Sequence, residues 1–409
     1  MVARLRKLVL QHRAIRHRLR IGREQSAIRW IGVTGSCGKS TTCQILAKVL
    51  ASHGACAMPN VRWNYTGTVP LSILRVTTDD RYVVQEIATH VPGSIERICK
   101  MFRPEIAIVM NVGTDHYSQF GSQEAIANEK AALVRALPAD GVAVLNADDP
   151  RVAAMASATM ARTVTFGIEN AASYRAHDVS SAWPCGVSFD LEHDGARYAV
   201  ETQLYGAHFA LNVLASLAAA HVAGMPLEEA VAVVGSAGPV PGRMSEVKVP
   251  GGATFIRDDL KAPWWALSLT IDFLRGAQAK RRVLVLGEMS DNPGGSNKFR
   301  RFINLALEHV ELLVVTGPAA GKLNKSLGEH PKLQVCHTVA DANDFLRGSL
   351  ASGDLVVLKG RLEDHLERLA HSHTGNVGCW RSRCGRTIQC SACDLLEMPA
   401  AADEPVKQQ

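Results

Sequence analysis

The stretch Ile31–Thr42, which reads IGVTGSCGKSTT, decides the fold of the region around it. An apolar strand enters a glycine-spaced loop that ends in Gly-Lys-Ser, and a helical segment follows from Gln44 to Leu50. The backbone N–H groups of such a loop, together with the positive end of the next helix, hold phosphate oxygens. The sequence therefore predicts that the chain binds ATP or GTP. The predicted nucleotide contacts are Gly35, Ser36, Cys37, Gly38, Lys39, Ser40 and Thr41.

Polar residues at the ends of two further predicted strands extend this site. Glu86 lies near the end of the predicted strand 81–87, and His116 follows the predicted strand 106–111. Ligands of an open parallel sheet gather beyond the carboxyl ends of its strands, so we expect both side chains to lie near Ser40. A hydroxyl, a carboxylate and an imidazole suit the Mg²⁺ that accompanies a nucleotide better than they suit zinc.

Composition fits a large enzyme with more than one core. The chain has 409 residues, of which 47% are hydrophobic, and this length suggests two or three domains. It contains no run of eighteen uncharged apolar residues and no secretory leader, because the apolar stretch at residues 8–10 is too short. Single, scattered cysteines are typical of reduced thiols, which predicts a cytoplasmic protein.

Strand-like and helix-like segments alternate along most of the chain. This alternation predicts an α/β fold with a mostly parallel sheet covered on both faces. The predicted strands are 28–34, 81–87, 106–111, 142–146, 282–286, 312–316 and 355–358, and the predicted helices include 124–137 and 210–223. Residues 171–201 have the shorter spacing of hairpins. We divide the chain into a basic arm (1–27), a central domain (28–240), a C-terminal domain (241–370) and a tail (371–409).

The basic arm carries much of the net charge of +6. Eight arginines and lysines stand there against the single acid Glu24, beside an apolar stripe that includes Leu5 and Leu8. One interpretation is a surface that docks on an anionic membrane, a nucleic acid or an acidic partner protein. The other is a solvated, partly disordered leader, which we favour. No specific nucleic acid is expected as a partner.

Segments after the loop resemble the Mur ligase family of ATP-dependent amide-forming ligases. The segments Asp115–Ser122 (DHYSQFGS) and Ala127–Lys130 (ANEK) are similar to the family's central motif, and the phosphate loop has the family's form. The resemblance runs from about Ile28 to Leu369. It implies a P-loop ATPase domain followed by a Rossmann-like C-terminal domain, with His116 as a magnesium ligand.

The same resemblance gives Lys130 a special role. It falls on a lysine that is carbamylated in many members, and a carbamate would turn a cation into an anionic oxygen ligand for a second Mg²⁺. Judged by residue type alone, Lys130 would be an ordinary solvated lysine of a helix. The two interpretations predict opposite charges at the same position.

Three later segments resemble nucleotide-contacting segments of the family. In GAHFALN, Asn212 is implied to recognise adenine, although Phe209 stands where members commonly carry Asn. In PGR, Arg243 resembles the hinge arginine that reaches the γ-phosphate. In DDLKAP, Asp259 is implied to contact the ribose and Lys261 a phosphate.

Four short blocks, NYTGTVPL, FGS, LGEM and LKGR, resemble the branch of the family that adds D-alanyl-D-alanine to muramoyl peptides. That branch carries an N-terminal domain for a UDP-sugar, whereas residues 1–27 stand in its place here. The acid substrate is therefore expected to be a smaller carboxylate, a peptide, a polymer end or a carboxylate presented by a partner. Glu288, Asp291 and Asn292 are candidates for binding the amine; the other interpretation is that they form a turn before Pro293.

The tail contains four clustered thiols in the spacing C-x4-C-x5-C-x2-C. Clustered thiols in a reduced protein suggest a tetrahedral zinc site, with an iron–sulfur centre as a weaker alternative. His371 and His373 are candidate substitute ligands, and free thiols in a disordered tail are the other interpretation. The last residues, 397–409, are predicted to be unstructured. The predicted zinc ligands are Cys379, Cys384, Cys390 and Cys393.

Together these features predict an ATP-dependent ligase that joins a carboxylate to an amine through an acyl phosphate. The predicted catalytic residues are Lys39, His116, Lys130 and Arg243. Closure of the two domains is expected to complete the site and exclude water. Two alternatives stay open: the cell-wall D-alanyl-D-alanine-adding reaction itself, and an ATPase scaffold or nucleic-acid-binding ATPase. The second is disfavoured because a scaffold needs no second metal.

Overall fold

The computed structural model describes residues 2–58, 63–115, 117–290, 296–317, 330–382, 384–386 and 388–398. The chain divides into two compact units: unit 1 is Met1–Ser180 with Gly186–Gly238, and unit 2 is Ser181–Cys185 with Pro239–Gln409. The division after Gly238 lies two residues before the predicted boundary at 240. Two details differ from the predicted organisation. The segment 181–185 joins unit 2, and the tail from residue 371 belongs to that unit as well.

Unit 1 is built on a mostly parallel sheet. Its described strands are β1 (Arg29–Thr34), β2 (Cys56–Ala57), β3 (Tyr82–Glu86), β4 (Ile106–Val109), β5 (Val142–Asn146), β6 (Arg162–Gly167), β7 (Tyr174–Ser180), β8 (Ser188–His193) and β9 (Ala196–Glu201). They lie in the order β2-β3-β1-β4-β5-β6-β7-β8-β9. Strands from β2 to β7 pair in parallel, and β7, β8 and β9 pair antiparallel. This confirms the predicted α/β class.

Helices cover both faces of this sheet. The described helices of unit 1 are α1 (Val2–Glu24), α2 (Lys39–Ala51), α3 (Val69–Ile73), α4 (Ser94–Phe102), α5 (Tyr117–Phe120), α6 (Gln123–Arg135), α7 (Pro150–Ala153), α8 (Phe209–Val222) and α9 (Leu227–Val234). Consecutive residues of β1, Trp30 and Ile31, are both almost fully buried, as expected for a strand packed on two sides. Trp30 belongs to a core shared with α1, α4 and α6, whereas α2 packs against α8.

The basic arm forms a packed helix, so the predicted disordered leader is wrong. Ala14 and Ile21 of α1 are buried in the core of unit 1. The guanidinium of Arg18 lies 4.0 Å from the centre of the Trp30 ring, and its Nε donates to the carbonyl of Phe102 at 3.1 Å. Apolar residues of the arm thus form the face of α1 that packs in the core of unit 1. The charge of the arm alone does not predict this face. Among the described helices, none is long and apolar enough to span a bilayer.

Unit 2 repeats the layered α/β plan on a smaller sheet. Its described strands are β10 (Ser245–Lys248), β11 (Thr254–Asp258), β12 (Arg281–Leu286), β13 (Leu312–Thr316), β14 (Leu333–Cys336) and β15 (Asp354–Lys359). Their order is β10-β11-β15-β12-β13-β14. Among the described strand pairs, β10 and β11 are antiparallel and the other neighbours are parallel. The described α-helices are α10 (Leu267–Gly276), α11 (Ser296–His309), α12 (Val339–Ser349) and α13 (Glu367–Thr374). The predicted C-terminal α/β domain is present.

The tail folds back onto unit 2. Arg368 of α13 donates through one guanidinium nitrogen to the carbonyl of Arg381 at 2.9 Å and through Nε to the sulfur of Cys390 at 3.3 Å. The backbone N–H of Cys390 donates to the buried carboxylate of Glu367. The tail is therefore part of the packing of unit 2. Most of the segment predicted to be unstructured, 397–409, lies outside the described residues.

Candidate active site

The phosphate loop forms where β1 ends. Strand β1 pairs with β3 and β4, with Val33 opposite Glu86 and Thr34 opposite Val109, so three strand ends meet at one edge of the sheet. Gly38 adopts a positive φ of 79°, and a Cβ added there would lie 2.6 Å from the Asn212 amide nitrogen. Both constraints require glycine at this position. Helix α2 begins at the next residue, Lys39, and directs its free N–H groups toward the loop.

Lys39 is folded back over its own loop. Its Nζ donates to the carbonyl of Gly35 at 2.6 Å and to that of Ser36 at 3.3 Å. Phosphate oxygens bound in the loop would compete with these carbonyls for the ammonium group. The loop, the cation and the helix N-terminus thus lie together as predicted.

The segment after β4 clamps the loop from the other side. The side-chain oxygen of Asn111 accepts from the backbone N–H groups of Ser36 and Cys37, at 3.0 and 2.9 Å. The hydroxyl of Ser36 donates to the carboxylate of Asp115 and accepts from the N–H of Gly113 at 2.6 Å. The shape of the loop is therefore fixed by hydrogen bonds to a second strand end.

The predicted magnesium ligands lie side by side. The hydroxyl of Ser40 donates to one carboxylate oxygen of Glu86 at 2.6 Å, and the Asn64 amide donates to the other at 2.9 Å. Both Ser40 and Glu86 are buried at the mouth of the loop. Two hard oxygen donors beside a phosphate loop fit the chemistry of Mg²⁺. The third predicted ligand, His116, lies outside the described residues.

Lys130 is not an ordinary surface lysine. Its side chain is 1% exposed, and its Nζ lies 3.5 Å from a carboxylate oxygen of Asp115. Burial lowers the pKa of Lys130 to about 8, and the negative charge of Asp115 opposes that shift only in part. The neutral amine is therefore far more populated near pH 7 than that of a solvated lysine. Because Asp115 also accepts from Ser36, the phosphate loop and Lys130 are coupled through one carboxylate.

The side chain of Asn212 contacts the phosphate loop and the start of α2. Its side-chain nitrogen donates to the carbonyl of Gly38 at 3.0 Å and to the hydroxyl of Thr42 at 2.9 Å. The residue is buried, and these two contacts brace the start of α2. The side chain thus supports the loop that would hold the phosphates, and adenine recognition by Asn212 stays a prediction.

Comparison with known proteins agrees with this geometry. Residues 33–220 match the model of the Mur ligase middle domain, and residues 242–362 match that of the Mur ligase glutamate ligase domain. The UDP-N-acetylmuramoyl-tripeptide–D-alanyl-D-alanine ligase of Mycobacterium tuberculosis is 32% identical over 360 residues, which cover 80% of this chain and 69% of that protein. The chain belongs to the Mur ligase family. This Mur ligase is accordingly an ATP-dependent enzyme that forms amide bonds.

Solved structures share the fold of this Mur ligase. A crystal structure of MurF from Acinetobacter baumannii has a TM-score of 0.80 at 24% identity, covering 90% of this chain and 80% of that one. MurF from Thermotoga maritima, solved in complex with ADP, has a TM-score of 0.76 at 23% identity, covering 89% and 82%. These structures confirm the predicted α/β fold.

The residues of unit 2 that were predicted to contact the nucleotide differ in their exposure and in their contacts. Lys261 is exposed, and the Nε of Arg243 is buried without a hydrogen-bond partner among the described residues. Asp259, by contrast, is almost fully buried and accepts from Arg257 at 3.0 Å, while Arg257 also donates to Glu367 at 2.6 Å. The prediction that Asp259 faces a ribose is therefore corrected, because its carboxylate holds Arg257 inside the unit.

The predicted amine and zinc residues find little support in the described residues. Glu288 pairs with Arg361, and Asp291 and Asn292 lie outside the described part of the chain. No group of three or more His, Cys, Asp or Glu side chains within the described ranges is arranged to hold a metal ion. As they lie, the four tail thiols do not fit a zinc ion, because Cys390 contacts Arg368 and His365, and Cys393 contacts Arg386. This is a correction to the predicted zinc site.

Sequence patterns assign no role to three residues that the structure places in the site. Asn64 supports Glu86, Asn111 holds the loop, and Asp115 pairs with Lys130. Asn111 lies two residues and Asp115 six residues after the end of β4, so their place after a buried strand was a usable signal. Asn64 follows a segment with no clear strand or helix pattern, and only the tertiary fold brings it to Glu86.

Proposed function

We propose that this Mur ligase transfers the γ-phosphate of ATP to a peptide carboxylate and then joins the acyl group to D-alanyl-D-alanine. The observation that carries the proposal is the meeting of Lys39, the Ser40–Glu86 pair and the Lys130–Asp115 pair at one edge of unit 1. The amine is inferred from the printed name of the Mycobacterium tuberculosis relative. Because ATP is made and used in the cytoplasm, we propose that the reaction takes place there.

Each residue of the site has a role that follows from its chemistry. Lys39 would exchange its loop carbonyls for β- and γ-phosphate oxygens and so stabilise the charge that develops during transfer. Ser40 and Glu86 would hold Mg²⁺, with His116 as a further ligand; the ion supplies electrostatic stabilisation of the phosphates. The amine then attacks the acyl carbon, phosphate leaves, and an amide remains. Arg243 and Lys261 are proposed to contact phosphate oxygens, a role that rests on the family resemblance.

An isotope experiment tests the reaction. The enzyme is incubated with ATP, Mg²⁺, D-alanyl-D-alanine and an acid whose carboxylate carries ¹⁸O. We use two acids in parallel: the UDP-linked muramoyl tripeptide and the free tripeptide. Activation through an acyl phosphate moves one ¹⁸O into released phosphate and gives an amide of the matching mass. ADP formation with unlabelled phosphate would reject the mechanism, and turnover of the UDP-linked acid alone would identify the cell-wall reaction itself.

We further propose that Lys130 is carbamylated in the working enzyme. Carbon dioxide reacts with the neutral amine, and at pH 7 about one lysine in ten is neutral at a pKa of about 8, against roughly three in ten thousand at 10.5. The carbamate and Asp115 would both be anionic, so the pair would need a cation between them, which Mg²⁺ supplies. Burial thus prepares Lys130 for a reaction that a solvated lysine rarely undergoes.

Carbamylation predicts a signal that does not depend on turnover. In ¹³C-labelled bicarbonate, the wild-type enzyme should show a carbamate carbon resonance by NMR, and Lys130→Arg should lack it. Below pH 8 the neutral amine increases roughly tenfold per pH unit, so at fixed dissolved CO₂ the signal should grow from pH 6 to pH 8. Removing CO₂ should also lower ligase activity reversibly. A wild-type spectrum without the resonance at pH 8, or an unchanged resonance in Lys130→Arg, would contradict the proposal.

A further inference from the structure

We propose that the outward face of α1 is a docking surface for an anionic lipid bilayer. The surface consists of an apolar patch, Leu5, Leu8 and Val9, and of an arginine row along the rest of the helix. The inference goes beyond amide bond formation and does not rest on the proposed substrates.

Helix α1 is held in one orientation, so its outward face is well defined. Gln11 donates to the carbonyl of Thr66 at 3.1 Å, and the His17 ring is 2.8 Å from the carbonyl of Val76. Arg18 is anchored over Trp30 on the same inner face. Leu5 precedes the buried Ala14 by nine residues, which is two and a half turns at 3.6 residues per turn and places it on the opposite side.

The apolar patch is exposed on unit 1 as far as the structure describes it. Leu5, Leu8 and Val9 are 62%, 55% and 51% exposed. Their i, i+3, i+4 spacing puts the three side chains next to one another on the helix surface. A cluster of large exposed apolar side chains on a fixed helix usually marks a contact surface. Its position in the first turns of α1 would let it enter the boundary between lipid headgroups and acyl chains.

The arginine row gives the surface its charge. Along α1 the exposed arginines are Arg6, Arg13, Arg16, Arg20 and Arg23. The single acid of the helix, Glu24, lies 3.9 Å from Arg20 and neutralises little of this charge. Arg16, Arg20 and Arg23 also line a surface hollow of about 610 Å³, together with His17, Leu19 and the acid Glu24. A hollow of this size bordered by guanidinium groups suits a phosphate-containing headgroup.

The charge and the small apolar area of this surface favour a bilayer over a second copy of the chain or another protein as its partner. A second copy would bring one arginine row against another, which costs electrostatic energy. Three apolar side chains are also too few for the central anchor of a stable protein interface, which buries about 1,600 Å² in total. A bilayer needs only a shallow apolar insertion when several cations contact anionic headgroups at the same time.

Vesicle co-sedimentation of the full chain tests the proposal. Wild-type protein should bind vesicles of 70% phosphatidylcholine and 30% phosphatidylglycerol at least tenfold more tightly than vesicles of phosphatidylcholine alone. Arg6→Gln/Arg13→Gln/Arg16→Gln should weaken that binding on the order of 100-fold, about fivefold per arginine. Leu5→Ser/Leu8→Ser/Val9→Ser should weaken it at least tenfold. Higher salt should weaken binding of the wild type, because exposed charges are screened.

Matched controls separate docking from general effects of charge and folding. Arg151→Gln/Arg162→Gln/Arg197→Gln removes three charges elsewhere on unit 1, and Met160→Ser changes a side chain that is 90% exposed. Both should bind like wild type. All variants should keep their thermal unfolding midpoints and their ATP-dependent turnover without vesicles. Equal wild-type binding to both vesicle types, binding to neither, or undiminished binding by either α1 variant would overturn the proposal.

Discussion

Replacing Lys39 with alanine should reduce amine-dependent ADP release on the order of 10²–10³-fold, the usual cost of removing one group that stabilises transition-state charge. The Lys39 ammonium now contacts only the carbonyls of Gly35 and Ser36 among the hydrogen bonds described, so its loss leaves no buried charge unpaired. The variant should therefore fold normally and fail in chemistry. Stopped assays of ADP, with and without the amine, measure the change.

Lys100→Ala is the matched control for this prediction. Lys100 also lies on a helix of unit 1, but its side chain is 70% exposed and pairs with Glu96 four residues earlier. Such surface pairs contribute little, so activity and stability should both stay close to wild type. Turnover by Lys39→Ala within a few-fold of wild type would show that the loop does not bind the transferred phosphate.

Replacing Arg257 with methionine should have the largest effect on stability. Arg257 lies between Asp259 and Glu367, with contacts of 3.0 and 2.6 Å, and all three side chains are almost fully buried. Its removal leaves two buried carboxylates without their shared cation. Breaking a buried ion pair in this way typically costs about 3–5 kcal/mol. Hydrogen exchange measured by mass spectrometry should show faster exchange in β11 and β15 of unit 2.

The loss should depend on pH in a defined direction. Burial raises the pKa of Asp259 to about 6, although Arg257 opposes the shift, and the unfolded value is 3.8. Because the folded-state pKa is the higher one, protonation favours the folded form between these values. Without Arg257 the pKa rises further, so the deficit of Arg257→Met should shrink between pH 8 and pH 5. Arg275→Met, which breaks an exposed pair with Asp272, should change stability little at either pH, and a deficit that grows on acidification would contradict this account.

Local sequence patterns were enough to predict the phosphate site. The order of strand, glycine loop, lysine and helix is continuous in the chain, so the position of Lys39 and Ser40 follows from neighbouring residues. Glu86 was predictable because parallel strands present their ends at one edge. The fold class followed in the same way, from alternating strands and helices that need little information about distant contacts.

Contacts between residues that are far apart in the chain could not be predicted from the sequence. Asn212 lies 174 residues after Gly38, and only the packing of α8 against α2 turns its amide toward that carbonyl. Asp259 was assigned to the ribose through the family resemblance, but its carboxylate contacts Arg257, which also contacts Glu367, 110 residues further along the chain. Arm 1–27 was judged by its charge, whereas the helix it forms is fixed by Ala14, Ile21 and a cation over Trp30.

The hydrogen bonds that the phosphate loop donates to Asn111 also affect the thermodynamics of nucleotide capture. With two loop N–H groups already engaged, and Lys39 resting on two carbonyls, much of the loop's conformational entropy is lost during folding. Nucleotide binding then mostly replaces one set of polar contacts with another. Calorimetry should accordingly record a small entropic penalty for ordering the polypeptide, and Asn111→Ala should enlarge that penalty by loosening the loop before the ligand arrives.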